Sequence, residues 1–354
     1  MKRVLTSFYA VLCMLVMLAG FVFAFFFAWK RSIVAVIWCL AGFLLGWLLS
    51  PFFHEIGHAA FGKAQKMRLE YLKIFCFGGV RKEGKLRMFF AAPFAAEQTQ
   101  TIPLCHGNMK TRMIKYTAGG LIVSGVQILL FLALGILLIA FDLAAAFFFF
   151  AALPYAVYLF MLNALPLYLP SGKTDALIIR GIQKQNREET AVINAMEIFG
   201  YLSEGKSFSE IDEELYLHIP VVAEDEPVFA VVADLKYRYY LEKGDFEKAA
   251  EWINRLASVS PYLTDEKTEE VAAELSYMHT LNGDLELAKQ TREIAENFFK
   301  ANSLSSLRIS AAYFAASGDK EKAALIKKEA LHALHLEDIV GKRKAEELLI
   351  SRIS

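Results

Sequence analysis

The sequence has no excess of charge of either sign, because 38 lysines and arginines balance 38 aspartates and glutamates. A net charge of zero gives no electrostatic basis for binding nucleic acid, so we expect no nucleic-acid partner. Cysteine is scarce: the four cysteines show no C-x-x-C spacing, and two of them lie within apolar runs, which predicts reduced, structural thiols. No Walker loop and no G-x-S-x-G pattern occurs, so P-loop nucleotide hydrolysis and serine-hydrolase chemistry have no sequence signature.

Charge is also missing from four long stretches in the first half of the chain. Hydrophobic residues make up 56% of the sequence, which is high for a soluble protein of 354 residues, and nearly all long uncharged runs precede residue 173. At 1.5 Å per residue, each run is long enough to cross the hydrocarbon core of a bilayer as a helix. We predict membrane-spanning helices at about residues 4–29, 32–62, 116–141 and 143–170.

The second half of the chain alternates helical patterns with polar breaks. We therefore predict an all-α fold, with a polytopic membrane domain at residues 1–182 followed by a soluble α-helical repeat domain at residues 186–354. Weak alternation in the loop between the second and third spans adds a small β-hairpin, with its turn expected at Gly78-Gly79.

The positive charge of that loop predicts the orientation of the protein in the membrane. Residues 63–115 carry eleven lysines and arginines, and such loops stay in the cytosol. The short turn at Asp142 contains no lysine or arginine, which suits the opposite side. These observations predict an integral membrane protein with four spans and both termini in the cytoplasm.

His54-Glu55-Ile56-Gly57-His58 lies at the end of the second span. Two histidines four positions apart project from one face of a helix, where they can bind one Zn²⁺, and Glu55 can act as general base on a metal-bound water. The alternative is a chance match in which both histidines pack or reach water. Ionisable residues are costly next to hydrocarbon, and this cost favours the metal site.

A catalytic zinc site usually takes three protein ligands, so the two histidines need a partner from another helix. Asp175 follows the fourth span on the same predicted side of the membrane. It is our candidate for the third ligand, and the alternative is a solvated aspartate or a helix N-cap after Gly172-Lys173-Thr174.

Together these motifs resemble the site-2 protease family of intramembrane zinc metalloproteases. The resemblance covers roughly residues 32–180 and rests on residues 54–58, on the small-residue start Ala118-Gly119-Gly120 of the third span, and on Asn163-x-x-Pro166 followed by Asp175. It implies that His54, His58 and Asp175 bind zinc, that Glu55 activates water, and that Asn163 contacts the substrate or transition state. It also implies a bacterial plasma membrane.

The C-terminal half contains a repeated pattern, G-D-x-E-x-A, that begins at Gly244, Gly283 and Gly318. Each copy follows a helix with apolar periodicity, so glycine is expected to end one helix and aspartate to cap the next. The pattern predicts stacked helical hairpins and is similar to tetratricopeptide repeats. Such an array offers a surface for a peptide or protein partner, unless it packs only on itself or on the membrane domain. His332 and His335 could share a metal, but an exposed helix face is the favoured interpretation.

The sequence thus predicts an intramembrane zinc endopeptidase that cleaves a membrane-protein substrate within its transmembrane helix, in contact with the lipid bilayer. Its C-terminal repeats would recruit the substrate or a regulator. Two other functions stay open: a catalytically inactive membrane scaffold that acts through its repeats, and a metal transporter, since histidine and aspartate also line ion paths.

Overall fold

The structure is a computed structural model that describes residues 2–82, 84–92, 98–170 and 172–353. The chain divides into two compact units. The first comprises Met1–Lys82, Leu86–Ile102 and Lys110–Asn186, and the second comprises Glu83–Lys85, Pro103–Met109 and Arg187–Ser354.

From the N-terminus to residue 186 the chain forms five helices and six strands within the described residues. The helices are α1 (Lys2–Arg31), α2 (Ile33–Ala64), α3 (Met109–Ala140), α4 (Ala146–Ala164) and α5 (Asp175–Gln183). The strands are β1 (Met67–Ile74), β2 (Phe77–Lys82), β3 (Lys85–Phe90), β4 (Gln98–Pro103), β5 (Tyr168–Leu169) and β6 (Gly172–Lys173).

Helices α1 to α4 are long and apolar enough to cross a membrane, as predicted. Their outer faces carry large exposed side chains, among them Phe23, Leu44 and Leu129, each more than 60% exposed. Exposed apolar surface on this scale indicates association with a membrane. Helix α4 ends at Ala164, earlier than the predicted limit near residue 170. The reason is local: Leu165 precedes Pro166 and takes an extended conformation (φ −95°, ψ 138°).

Small residues allow α2 and α4 to pack closely. A Cβ atom added at Gly42 would lie 2.1 Å from the carbonyl oxygen of Phe148, and one at Gly46 would lie 2.7 Å from Cα of Ala152. Without a hydrophobic driving force in lipid, such close backbone approach supplies the packing energy between helices. Gly42 and Gly46 form a G-x-x-x-G pattern, the spacing that places two small residues on one face of a membrane helix.

The predicted β-hairpin is present, but it belongs to a four-stranded sheet with the order β3-β2-β1-β4. Its turn was predicted wrongly at Gly78-Gly79. Strands β1 and β2 pair with Ile74 opposite Phe77 and Lys73 opposite Gly78, so the turn lies at residues 75 and 76. Gly78 is needed for space instead, because a Cβ there would lie 2.2 Å from the ring of Phe89.

The second unit is helical from residue 187 to residue 351. Its helices are α6 (Arg187–Ser203), α7 (Glu213–Leu217), α8 (Pro227–Lys243), α9 (Phe246–Ser258), α10 (Asp265–Leu281), α11 (Leu285–Ile294), α12 (Glu296–Lys300), α13 (Leu304–Ala316), α14 (Lys320–Ala333) and α15 (Val340–Ser351). Three short 3-10 turns, Phe208–Glu210, Ser260–Tyr262 and Leu334–Leu336, complete the unit.

The same type of turn joins the two helices in each of three pairs of this unit: α8–α9, α10–α11 and α13–α14. The turn glycines Gly244, Gly283 and Gly318 have φ values of 80°, 81° and 87°, which a side chain disfavours. The aspartate after each glycine caps the next helix, accepting a hydrogen bond from the backbone N–H three residues on, at 3.1–3.2 Å. The predicted helix ends and caps of the G-D-x-E-x-A pattern are confirmed.

A buried ion-pair cluster ties the hairpins of the second unit together. Arg308 is completely buried and donates to the carboxylates of Glu274 and Glu346, both at 2.7 Å. Its guanidinium also lies 4.4 Å from the centre of the Tyr277 ring. Removing one partner of such a cluster would leave an uncompensated charge in the core.

Candidate metal centre

His54 and His58 lie on one face of α2, as their spacing predicts. Both side chains are buried, and their Nε2 atoms are 3.2 Å apart. The helix continues to Ala64 with Pro51 inside it, one turn before His54. The end of α2 is held by Arg112, which donates to the carbonyl oxygens of Gln65 and Lys66 at 2.9 and 3.2 Å.

Asp175 comes to the same place from the start of α5. Its Oδ2 lies 3.4 Å from Nε2 of His54, and its Oδ1 lies 3.5 Å from Nε2 of His58. The alternative N-cap role belongs to Thr174, which precedes Asp175 in an extended conformation (φ −72°, ψ 159°). Asp175 is buried, and its Oδ2 accepts no hydrogen bond from any described residue.

Thr174 fixes the position of Asp175. Its buried hydroxyl donates to the carbonyl oxygen of Leu165 at 2.6 Å and accepts from the N–H of Leu167 at 3.0 Å. These bonds close the irregular segment after α4, in which β5 and β6 form a two-residue antiparallel pair. The chain therefore returns to the end of α2 directly after the fourth apolar helix.

Both imidazole rings are oriented by groups on α3. The Nδ1 atom of His58 is 3.1 Å from the carbonyl oxygen of Tyr116, and Nδ1 of His54 is 3.1 Å from the hydroxyl of Ser124. A carbonyl oxygen can only accept, so Nδ1 of His58 carries a proton, and in the neutral ring Nε2 then presents a lone pair on the side of Asp175. A ring nitrogen fixed in this way is the usual arrangement of a metal-binding histidine.

Glycines make room for the two rings between α2 and α3. A Cβ added at Gly120 would lie 2.4 Å from Nε2 of His58 and 2.7 Å from Cε1 of His54. Gly57 and Gly119 bring the backbones together, since a Cβ at Gly57 would be 2.5 Å from the carbonyl oxygen of Gly119. Any larger residue at position 120 would push the imidazoles apart.

The three side chains suit one small divalent cation. Tetrahedral ligands about 2.0–2.1 Å from zinc lie roughly 3.3–3.4 Å from one another. The two Nε2 atoms are 3.2 Å apart, and each faces a different oxygen of Asp175, at 3.4 and 3.5 Å. With one ligand atom taken from each residue, the three atoms lie within 4.8 Å of one another. A cation would also satisfy the Oδ2 atom of Asp175, which accepts no hydrogen bond within the described part of the chain. Among the described residues, this is the group of three histidine, cysteine, aspartate or glutamate side chains with metal-ligand proximity.

Glu55 lies beside this cluster and is held by strand β4. The hydroxyl of Thr99 donates to Oε2 of Glu55 at 2.5 Å, and the Glu55 side chain is buried. The phenol of Tyr116 in turn donates to the backbone oxygen of Thr99 at 2.6 Å. The H-E-x-x-H motif identifies Glu55 as a site residue, but no pattern in the sequence predicts its contact with β4.

A cavity of about 630 Å³ opens onto these residues. Its wall contains His54, Glu55 and Asp175 together with Asn163 of α4, the residue expected to contact substrate. Asn163 is half-buried, and its amide donates to the carbonyl oxygen of Leu159 at 3.2 Å, one turn earlier in α4. The structure thus brings all five predicted site residues to one cavity.

Four supporting residues were missed at the sequence level: Ser124, Thr99, Tyr116 and Thr174. Ser124 had a signal, since an isolated hydroxyl inside an apolar span needs a hydrogen-bond partner. Thr99 lies on an edge strand, Tyr116 at the start of a predicted span, and Thr174 in a loop. At such places the sequence pattern does not distinguish a site residue from an ordinary polar one.

Comparisons of this chain with protein-family models, with curated proteins and with solved structures found no match.

Proposed function

We propose that this protein is an intramembrane metalloendopeptidase that cleaves membrane-protein substrates within their transmembrane segments. One observation carries the proposal: two buried histidines and a buried aspartate offer ligand atoms within 4.8 Å of one another, beside a buried glutamate. They do so at the wall of a cavity formed among helices that are apolar enough to cross a membrane. Buried ionisable groups in such helices are costly and are retained where they serve a function.

In this proposal His54, His58 and Asp175 hold one zinc ion. When bound, zinc would polarise a peptide carbonyl and lower the pKa of its bound water toward neutral. Two histidines and one carboxylate also form a common donor set for iron(II), so metal analysis belongs to the test.

Glu55 is the proton carrier of the proposed reaction. Its carboxylate accepts a proton from the attacking water and then donates it to the nitrogen of the departing amine. Thus the peptide C–N bond breaks, a C–O bond forms, and no other reactant is consumed. Asn163, which lines the cavity, would contact the backbone of the substrate.

The substrate class follows from the surroundings of the cavity. A peptide bond in a transmembrane helix is hydrogen-bonded internally, so the helix must unwind before its carbonyl reaches the histidines. We therefore propose a single-span or tail-anchored protein with a helix-weakening segment. The positive charge of residues 63–115 supports an orientation with both termini in the cytoplasm. The bacterial plasma membrane is proposed from the resemblance to site-2 proteases alone.

The helical hairpins of the second unit are proposed to recruit the substrate or a regulator through a peptide or protein contact. Their turns repeat with the same backbone conformation, which is the construction of helical-repeat proteins that present extended surfaces. If the metal centre has no hydrolytic role, these hairpins would be the working part of a membrane scaffold.

The test is the substitution Glu55→Gln in the full-length protein in lipid nanodiscs. We expect wild-type protein to contain one equivalent of zinc and to cleave transmembrane peptides, whereas Glu55→Gln keeps the metal and loses cleavage by at least 100-fold, the scale of general acid–base catalysis. Asp175→Ala should lose the metal as well.

Two results would contradict the proposal. Full cleavage activity in Glu55→Gln would remove the proton carrier from the mechanism. A metal content that does not depend on Asp175, with no cleavage in any sample, would favour the scaffold. Substrates retained by Glu55→Gln in native membranes can then be identified by mass spectrometry.

A further inference from the structure

We infer that Thr99 is a positioning residue for Glu55: its hydroxyl fixes one carboxylate oxygen, so that the other points in a defined direction. The inference rests on the proposed function and deepens it. It assigns a role to strand β4, which the sequence motifs leave out.

The Thr99–Glu55 contact has the geometry of a strong hydrogen bond. The distance from Oγ1 of Thr99 to Oε2 of Glu55 is 2.5 Å, at the short end of the range for a hydroxyl bonded to a carboxylate. The same hydroxyl lies 3.3 Å from the backbone oxygen of Glu55, so it faces the side chain and the main chain of a single residue. Glu55 is buried and Thr99 is half-buried, and both residues line the cavity.

Thr99 is itself held in place, as a positioning residue must be. The phenol of Tyr116 donates to its backbone oxygen at 2.6 Å, and the backbone oxygen of Tyr116 is 3.1 Å from Nδ1 of His58. One residue of α3 therefore orients a metal-binding histidine and the strand that orients Glu55. Because Tyr116 contacts both His58 and Thr99, the positions of His58 and Glu55 are fixed relative to each other.

The function of the contact is orientational. A glutamate side chain has three rotatable bonds, and catalytic groups must be held within about 0.5 Å of their productive geometry. A hydroxyl on Oε2 restricts rotation of the carboxylate, so Oε1 meets the attacking water at a reproducible angle. Thr99 takes no part in proton transfer and does not contact the reacting atoms.

The first test is spectroscopic and uses the full-length protein with its metal removed. The infrared difference between wild type and Glu55→Gln isolates the carboxyl bands of Glu55. We expect Thr99→Val, which keeps the side-chain shape but loses the donor, to shift these bands, and Thr99→Ser to restore them. Thr111→Val makes the same change at an exposed position of α3 and should leave them in place. Unshifted Glu55 bands in Thr99→Val would overturn the inference.

The second test separates orientation from substrate binding. In Thr99→Val we expect kcat to fall about 10- to 100-fold, as for other supporting partners of metal sites, with KM and metal content unchanged. Thr99→Ser should recover most of kcat. An unchanged kcat, or a raised KM with kcat intact, would contradict a positioning role. If Thr99→Val does not fold, Thr99→Ala and Thr99→Ser carry the same comparison.

Failure of this inference is distinguishable from failure of the proposed function. If wild type cleaves and Glu55→Gln does not, while Thr99→Val behaves like wild type, only the role of Thr99 is lost. If wild type shows no metal-dependent cleavage, both proposals fall, whatever the infrared spectra of Thr99→Val show.

Discussion

Gly120 offers the sharpest test of the metal centre, because its missing side chain leaves the space that the imidazoles fill. In Gly120→Ala the new Cβ would lie 2.4 Å from Nε2 of His58 and 2.7 Å from Cε1 of His54. Relief to ordinary contact requires a displacement of roughly 1 Å, about twice the tolerance of a functional site. Both rings resist it, since each is hydrogen-bonded through Nδ1.

The magnitude follows from the cost of overpacking. Forcing extra atoms into a filled core costs about 1–3 kcal/mol. If that energy is taken from metal binding, affinity falls roughly 5- to 150-fold, because 1.4 kcal/mol corresponds to a factor of ten. Helix propensity does not account for such a loss, since alanine is favoured over glycine in a helix interior by about 0.8–1.0 kcal/mol.

The same helix supplies a matched control. A Cβ added at Gly125 would meet only the ring of Phe160 at 3.7 Å, an ordinary contact. We expect Gly125→Ala to bind zinc like wild type in competition with a chromophoric chelator, while Gly120→Ala binds 5- to 150-fold more weakly and keeps its helical content by circular dichroism. Equal affinity in the two variants would refute the reasoning, because the imidazoles would then not depend on the space at Gly120.

Two further predictions concern the second unit, each read from hydrogen exchange of its helices in the full-length protein. Arg308→Ala leaves Glu346 buried without its cation and leaves Glu274 only the more distant Arg238 at 3.9 Å, so α10 and α13 should lose about 3–5 kcal/mol of stability. A loss below about 1 kcal/mol would contradict the assigned ion pairs. Burial by itself would raise the pKa of Asp234, but the positive charges of Arg238 at 3.0 Å and Lys267 at 3.7 Å outweigh burial and lower this pKa. Its ion pairing therefore stabilises the unit at pH values above the unfolded pKa of about 3.9, and this stabilisation is lost as pH falls toward the lowered folded-state pKa. Asp234→Asn should therefore make the stability of the unit less dependent on pH in the acid range. An unchanged acid dependence would contradict this assignment.

Local sequence patterns determine much of this architecture without reference to tertiary contacts. Long uncharged runs predict α1 to α4, because a helix is the form in which a single apolar segment satisfies its own backbone in lipid. The G-D-x-E-x-A pattern predicts three helix ends and three caps, since positive φ and capping depend on neighbouring residues alone. The two histidines share a face because their spacing matches one helical turn.

The tertiary structure decided which distant groups meet those local elements. The sequence allows Asp175 to be either a metal ligand or a solvated aspartate or N-cap. The fold of the segment after α4 favours the first, because it places the Asp175 carboxylate within 3.5 Å of both histidines. Thr99 gave no signal, because its contact with Glu55 depends on the place of β4 at the sheet edge beside β1. The turn expected at Gly78 failed for the same reason: space for the ring of Phe89, a residue eleven positions away, decided where glycine was needed. Periodicity reports which face of an element is apolar, whereas the partner of that face is set by packing between elements far apart in the chain.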